Sequence, residues 1–283
     1  MAEDLTVENT AAPAPGESAS LTARVAAALR EKLLRGEYRP GERLAELTLA
    51  PQLNASRTPV RLALERLAHQ GLLEALPYGG FRVREFTIAD IWDGIEIRGV
   101  LEGTAARLAA ERLANPAELQ PLRRCHEAFA QVAPMNMDGF LDYVEKNLAY
   151  HHELWKLARS PTLERALESV CALPFAGPGA LVFGGSDDAQ AFHARNASIA
   201  IEHHRAILEA IERREGARAE GLAREHSRMV RANLDWALRN REILEKFPGG
   251  PLITFPNERP SPARRSKRLA RASPACKIPS PTA

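Results

Sequence analysis

The sequence predicts a mainly α-helical protein in two parts: a small module of three helices with a β-hairpin, then a larger all-α antiparallel bundle. Three observations predict it. Apolar residues recur at spacings of three and four, the signature of one helix face, through most of residues 21–247. Only two short segments, on either side of Pro77-Tyr78-Gly79-Gly80, read as strands. Clusters of Pro, Gly, Asn and Ser cut the periodic stretches into helix-length pieces.

Residues 1–19 are Pro/Ala-rich without periodicity and predict a disordered segment. From Leu21 the positions Val25, Ala28, Leu29 and Leu33 mark a first helix, stopped by RGEYRPG. A second short helix spans about Glu46 to Leu53. A third opens at SRTPVRLALERLAHQGLL, with Ser56 as N-cap, Pro59 in the first turn and Gly71 ending it. LLEAL and GFRVREF then form the hairpin. Helix, helix, turn, helix and hairpin within residues 20–86 is the plan of a winged helix-turn-helix, a DNA-binding module. Residues 87–247 are helical almost throughout, with breaks at Asn115-Pro116, residues 134–138, Ser160-Pro161 and PFAGPGALVFGGSDD, so six or seven helices are expected. Residues 248–283 are broken by prolines and predict a basic disordered tail.

Of the 283 residues, 45% are hydrophobic and 26% charged, which suits a globular chain long enough for two domains. No apolar run approaches the roughly 18 residues of a membrane span. MAEDLTVENTAAPAPGESAS has neither a basic n-region nor an apolar h-region, so a cytoplasmic protein outside any membrane is expected. Cys125, Cys171 and Cys276 lie far apart and form no CxxC pair, which argues against a disulfide framework or a thiolate zinc site. The net charge of +2 conceals two basic zones. Residues 20–86 carry eleven Lys/Arg against seven Glu, and the tail adds Arg259, Arg264, Arg265, Lys267, Arg268, Arg271 and Lys277. A solvated tail or weak non-specific attraction to nucleic acid both fit the latter.

On the third helix Val60, Leu64 and Leu67 form one face and leave Arg57, Thr58 and Arg61 near the exposed N-terminal end. An arginine grips guanine O6 and N7 with two hydrogen bonds, while Ser and Thr hydroxyls suit phosphate oxygens. GEYRPGERLAELTLAPQLNASRTPVRLALERLAHQGLLEALPYGGFRV resembles the N-terminal domain of the GntR family of bacterial transcription regulators, with its PG-x-x-L, SRTPVREAL and glycine-containing wing. The resemblance implies that Arg57 and Arg61 contact double-stranded DNA and that the wing at Tyr78, Gly79 and Gly80 reaches an adjacent groove, while Ser56 and Thr58 offer the hydroxyls for phosphates beside them. Leu62 stands where the family usually has glutamate, and Asn54-Ala55 where it has Gly-Val.

The bundle contains two histidine pairs, which helix geometry divides because adjacent residues point about 100° apart. Around His151, the residues Val144, Leu148, Leu154, Trp155 and Ala158 fall within about 60°, while His152 falls with Glu145 and Lys156. Likewise His204 lies among Ala197, Ala200, Ile201, Ile207, Leu208 and Ile211, leaving His203 on the flank. His226 sits among Ala219, Leu222, Ala223, Met229 and Val230. Three helices each place one histidine in an apolar stripe, where an unpartnered imidazole is costly. One divalent cation between them relieves that cost, and Asn147, one turn before His151, brings a carbonyl oxygen to the same point. Histidines that bind an effector carboxylate without metal are the alternative.

Residues 87–240 resemble the FCD effector domain of the FadR branch of the GntR family. The resemblance rests on Glu96-Ile97-Arg98 with Glu102, on Asn147 to His151, on His203-His204-Arg205-Ala206-Ile207 with Ala210-Ile211, and on Ala219 to His226. It implies a divalent metal of the zinc, nickel or manganese type held by Asn147, His151, His204 and His226, with Asn147 in place of the family's aspartate. It also implies a homodimer on a palindromic operator, a small organic acid as effector, and repression relieved by it. Arg98 is either a structural partner of Glu102 or a clamp for that acid.

Three histidines on a metal also describe hydrolases and lyases, so a metal-dependent enzyme is the rival reading. Catalysis needs an open coordination position and a nearby base. The buried arcs offer only Glu102, which Arg98 occupies, and an enzyme has no use for residues 20–86. The sequence therefore predicts a regulator and not an enzyme.

Overall fold

The computed structural model describes residues 15–132, 137–180, 186–240, 244–245 and 247–255. The N-terminal module holds α1 (Pro15–Leu34), β1 (Arg43–Leu44), α2 (Glu46–Gln52), α3 (Arg57–His69), β2 (Leu73–Ala75) and β3 (Phe81–Val83). The strands form one antiparallel sheet in the order β1-β3-β2, with Leu44 opposite Phe81 and Leu73 opposite Val83. The expected hairpin is therefore a three-stranded sheet. β1 is only two residues long, too short for an alternation to show in sequence.

The module's core comes from the apolar faces read from the periodicity. Leu29, Leu33, Leu49, Val60, Leu64, Leu67 and Leu72 are all 0–1% exposed. Each such side chain contributes about 1.5–3 kcal/mol by leaving water. Ser56 takes the N-cap position of α3 in an extended conformation, but its side chain makes no capping bond. Gly71, at φ +76°, ends the helix in the left-handed region that glycine enters without penalty.

The bundle consists, among the described residues, of six α-helices: α4 (Ile88–Arg112), α5 (Gln120–Ala130), α6 (Met137–Leu157), α7 (Pro161–Cys171), α8 (Asp187–Glu212) and α9 (Gly216–Arg239). Thr87 and Asp90 open α4 with a reciprocal capping box. α4 runs through the middle, touching α6, α7, α8 and α9, and lies most closely on α9. Gly103 permits that approach, since a Cβ there would sit 2.7 Å from Arg224 Cγ and 3.0 Å from the Glu220 carbonyl.

Both segments expected to be disordered contain regular structure where the described residues reach into them. Helix α1 begins at Pro15, inside the segment 1–19, because Pro fits a first helical turn and Glu17, Ser18 and Ala19 continue it; residues 1–14 lie outside the described residues. In the tail, Gly250–Leu252 forms a 3₁₀ turn, and Phe86 exchanges bonds with Leu252 and Thr254 at 3.1 and 2.8 Å. Prolines preclude a helix there, but Leu252 and Ile253, 0% and 7% exposed, gain burial against the link between module and bundle. Residues 256–283, with the basic cluster, lie outside the described residues. No helix among the described residues is long and apolar enough to cross a membrane.

Candidate nucleic-acid interface and metal centre

α3 turns Val60, Ala63, Leu64 and Leu67 inward and leaves Ser56, Arg57, Thr58 and Arg61 exposed. Arg61 Nε donates to Glu65 Oε1 at 2.9 Å, a solvent-facing pair on the same helix. Such a pair is screened by water and exchanges readily for a phosphate or a base edge. At the wing, Tyr78 is fully exposed, and Gly79 and Gly80 adopt φ of +88° and +81° to turn the chain between β2 and β3. All seven DNA-facing residues read from the sequence thus lie on the surface of one module.

Inside the bundle, α6, α8 and α9 bring His151, His204 and His226 together, at 1%, 0% and 6% exposure. His226 Nε2 stands 3.1 Å from His204 Nε2 and 3.2 Å from His151 Nε2. The ligand atoms of all three lie within 4.8 Å of one another. His152 is exposed and His203 only half-buried, as the wheel geometry predicts.

The surroundings decide what this cluster accommodates. Glu102 of α4, 1% exposed, sits 2.8 Å from His151 Nδ1 through Oε1. The same carboxylate accepts from Trp155 Nε1 at 3.2 Å and Ser227 Oγ at 2.7 Å, with Arg98 Nε 3.4 Å away. Burial alone would push its carboxyl up, but Arg98, His151 and the hydrogen bonds outweigh that and hold it well below the usual carboxylate range. The His151 Nδ1 contact is a close approach and not an aligned hydrogen bond, and an ionised Glu102 beside Nδ1 favours the tautomer that leaves a lone pair on Nε2.

His226 Nε2 then faces two neighbours, and one N–H can point well at only one of them. Any arrangement held by hydrogen bonds alone therefore leaves one contact poorly matched. A cation between them relieves that mismatch, provided the pair separated by as much as 4.8 Å closes to the roughly 4.2 Å or less that one ion spans. Ligand nitrogens about 2.1 Å from one ion, at right or tetrahedral angles, lie roughly 3.0–3.4 Å apart, which the two short contacts match. Burial, followed by the neighbouring imidazoles, lowers the pKa of His204 well below its ordinary value; for His226 burial leads and His151 follows. Both rings are therefore held in the neutral form that ligates.

Asn147 is 5% exposed and donates through Nδ2 to the Pro178 carbonyl at 2.8 Å, while its Oδ1 is buried with no hydrogen-bond partner. An orphaned buried carbonyl oxygen on a residue that lines one cavity with His151 and His226 is a candidate fourth donor. The structure thus gathers the three histidines read from the sequence into a group that could hold a divalent ion, with Asn147 lining the same cavity as His151 and His226. It adds partners that sequence reasoning missed. Tyr150 stacks on His204 at 3.7 Å and 9°, and its hydroxyl donates to the His204 carbonyl at 2.9 Å. Trp155 and Ser227 hold the Glu102 carboxylate, which in turn faces His151. Only tertiary packing joins Glu102 of α4 to His151, Trp155 and Ser227. Arg98 donates through Nη1 to the Ala176 carbonyl at 3.1 Å besides facing Glu102. Cys125 and Cys171 are free thiols, and burial pushes Cys171 up to about 12, far from a reactive thiolate.

Residues 21–83 match the family described as bacterial regulatory proteins, gntR family, and residues 93–229 match the FCD domain. An uncharacterized HTH-type transcriptional regulator from the TAR-I ttuE-ttuC' intergenic region of Agrobacterium vitis is 34% identical over 143 residues, 49% of this chain and 83% of the relative. The chain belongs to the GntR family of bacterial regulatory proteins. This GntR-family chain is also 33% identical over 135 residues, 48% of its length and 58% of the relative's, to a probable D-xylose utilization operon transcriptional repressor of Paenarthrobacter nicotinovorans. Its fold is similar to that of Escherichia coli McbR/YncC, with a TM-score of 0.53 and 25% identity over 78% of this chain and 98% of that one. The match spans about half the length of the first curated relatives.

Membership places the chain with regulators and leaves the enzymatic reading of the three histidines without support. It also gives the sequence departures a physical reading. Asn54 replaces the glycine common before α3 and holds φ at +47°, a left-handed conformation that Asn tolerates better than most residues. Leu62, in place of glutamate, is 44% exposed beside Arg61 and disturbs no core contact.

Proposed function

We propose that this GntR-family protein is a ligand-responsive transcription regulator, with residues 20–86 as its DNA-reading unit and residues 87–247 as its effector-binding and dimerisation unit. A homodimer places two α3 helices in successive major grooves of a palindromic operator, with Arg57 and Arg61 at base edges and Ser56, Thr58 and the wing on the backbone. A divalent cation of the zinc, nickel or manganese type sits between His151, His204, His226 and Asn147. When bound, it supplies positive charge for an anionic effector.

The observation that carries the sensing half is the gathering of three buried imidazoles within 4.8 Å, with the orphaned Asn147 oxygen on a residue that lines one cavity with His151 and His226. A cavity of about 30 Å³ adjoins it, lined among others by Arg98, Tyr143, Asn147, Asn196 and Asn233. No carboxylate lines it among the described residues, with the ionised Glu102 standing behind Arg98 and His151, and Arg98 is the residue to clamp a small organic acid. Asn196 Nδ2 donates to Asn233 Oδ1 at 3.2 Å, an amide pair suited to polar substituents on such an acid. Relatives named as repressors support release of repression by ligand as the sense of the response.

Fluorescence anisotropy on operator fragments, with and without metal and small carboxylates, tests the reading. Salt-sensitive binding to one palindrome, weakened by a carboxylate only when metal is present, is expected. Failure to bind any fragment at low salt would refute the DNA-reading half.

A further inference from the structure

We propose that residues 172–180, between α7 and α8, form the relay through which occupancy of the histidine site reaches the DNA-reading module. The inference rests on the reading of that site as a ligand centre. At the site end, two residues of the centre hold the segment by its carbonyls. Asn147 Nδ2 donates to Pro178 O at 2.8 Å, and Arg98 Nη1 donates to Ala176 O at 3.1 Å. Asn147 carries the orphaned oxygen and Arg98 lines the cavity, so a ligand that draws either side chain acts directly on this backbone.

At the other end the same segment touches the module directly at two places and reaches it at a third through Gly249. Arg30 of α1 donates through Nη2 to Ala172 O at 3.0 Å. Leu173 packs beside Gly71, which ends α3, and beside Gly94 of α4, since a Cβ on those glycines would stand 3.2 and 3.6 Å from its methyl groups. Pro174 lies against Gly249, whose N–H donates to the Leu34 carbonyl at the end of α1 at 2.7 Å.

Between the two ends the segment has little slack. Phe175, 2% exposed, is held at φ +59°, a left-handed conformation unfavourable for an aromatic residue, with its ring 4.3 Å from that of Phe247. Turns from Ala176 N to Leu173 O and from Ala180 N to Gly177 O shorten the path further. A short, buried, over-determined link passes a displacement on, where a loose loop would absorb it. Movement of Ala172–Pro174 displaces the C-terminal ends of α1 and α3 against the bundle. In a dimer such a displacement changes the separation of the two recognition helices.

Hydrogen–deuterium exchange of the full chain, with and without zinc, nickel or manganese, tests the relay alongside an Arg30→Gln variant. In the wild type, metal is expected to slow exchange at 172–180 and in α1 and α3, by roughly fivefold or more. Arg30→Gln should keep the first effect and lose the second. Wild-type protection that stops at 172–180, or undiminished transmission in Arg30→Gln, would overturn the relay. Absence of bound metal by equilibrium dialysis would instead overturn the ligand set, and Asn147→Ala in metal-free protein then supplies the perturbation. Faster exchange reaching α1 supports the relay in that case, and faster exchange confined to α6 overturns it.

Discussion

The DNA-reading module and the bundle differ in whether they bury polar side chains. Among the described residues every buried polar side chain belongs to the bundle, including Arg98, Glu102, Asn147, His151, His204, His226 and Ser227. The module buries none, and Ser56, Arg57, Thr58, Arg61 and Tyr78 face solvent. The module therefore separates its two tasks: an apolar face holds the fold, and the opposite face is free to meet DNA. In the bundle the tasks coincide. A buried polar group is costly unless partnered, so the residues that shape the site also hold α4, α6, α8 and α9 together.

Substitutions on the two sides should break this contrast in order of size. Glu102→Gln leaves Arg98 uncompensated at 1% exposure and is expected to lower stability by about 3–5 kcal/mol in urea denaturation. A loss under about 1 kcal/mol would mean that the network does not hold the bundle. Arg61→Ala is expected to weaken operator binding roughly tenfold to a hundredfold while leaving the urea midpoint unchanged. A lowered midpoint would show that the module does not separate fold from contact.

Two smaller effects sharpen the bundle side. With metal at a hundredfold excess over its dissociation constant, the wild type and His203→Ala should both gain about 2.7 kcal/mol of stability, and His204→Ala none. Equal behaviour of the two variants would refute the division of the histidine pairs. Asn147→Asp restores a charged donor and should tighten metal binding by roughly tenfold, the scale on which tuning of a metal's surroundings acts. Unchanged affinity in calorimetry would remove Asn147 from the ligand set.

The same contrast governs how much the sequence discloses. The module is legible because its information is contiguous. SRTPVR places cap, apolar face and exposed arginines within two turns, and Pro77 to Gly80 marks the wing. β1 escapes because two residues carry no period, and Leu252 and Ile253 escape because prolines mask their burial. In the bundle, helix angle alone selects His151 over His152 and His204 over His203, since burial follows the apolar stripe. The partners of those histidines are not legible. Glu102 reaches His151, Trp155 and Ser227 only because α4 lies against α6 and α9, and Arg98 meets Ala176 across 78 residues of chain. The 1,4 spacing of Arg98 and Glu102 shows one pair where the fold builds a hub.

Equilibrium dialysis of the purified protein against zinc, nickel and manganese, followed by elemental analysis, bears most directly on the claim that the three histidines hold a cation. One ion per chain is predicted for the wild type and none for His204→Ala. A wild type that stays free of metal yet still binds its operator and a carboxylate effector would contradict it.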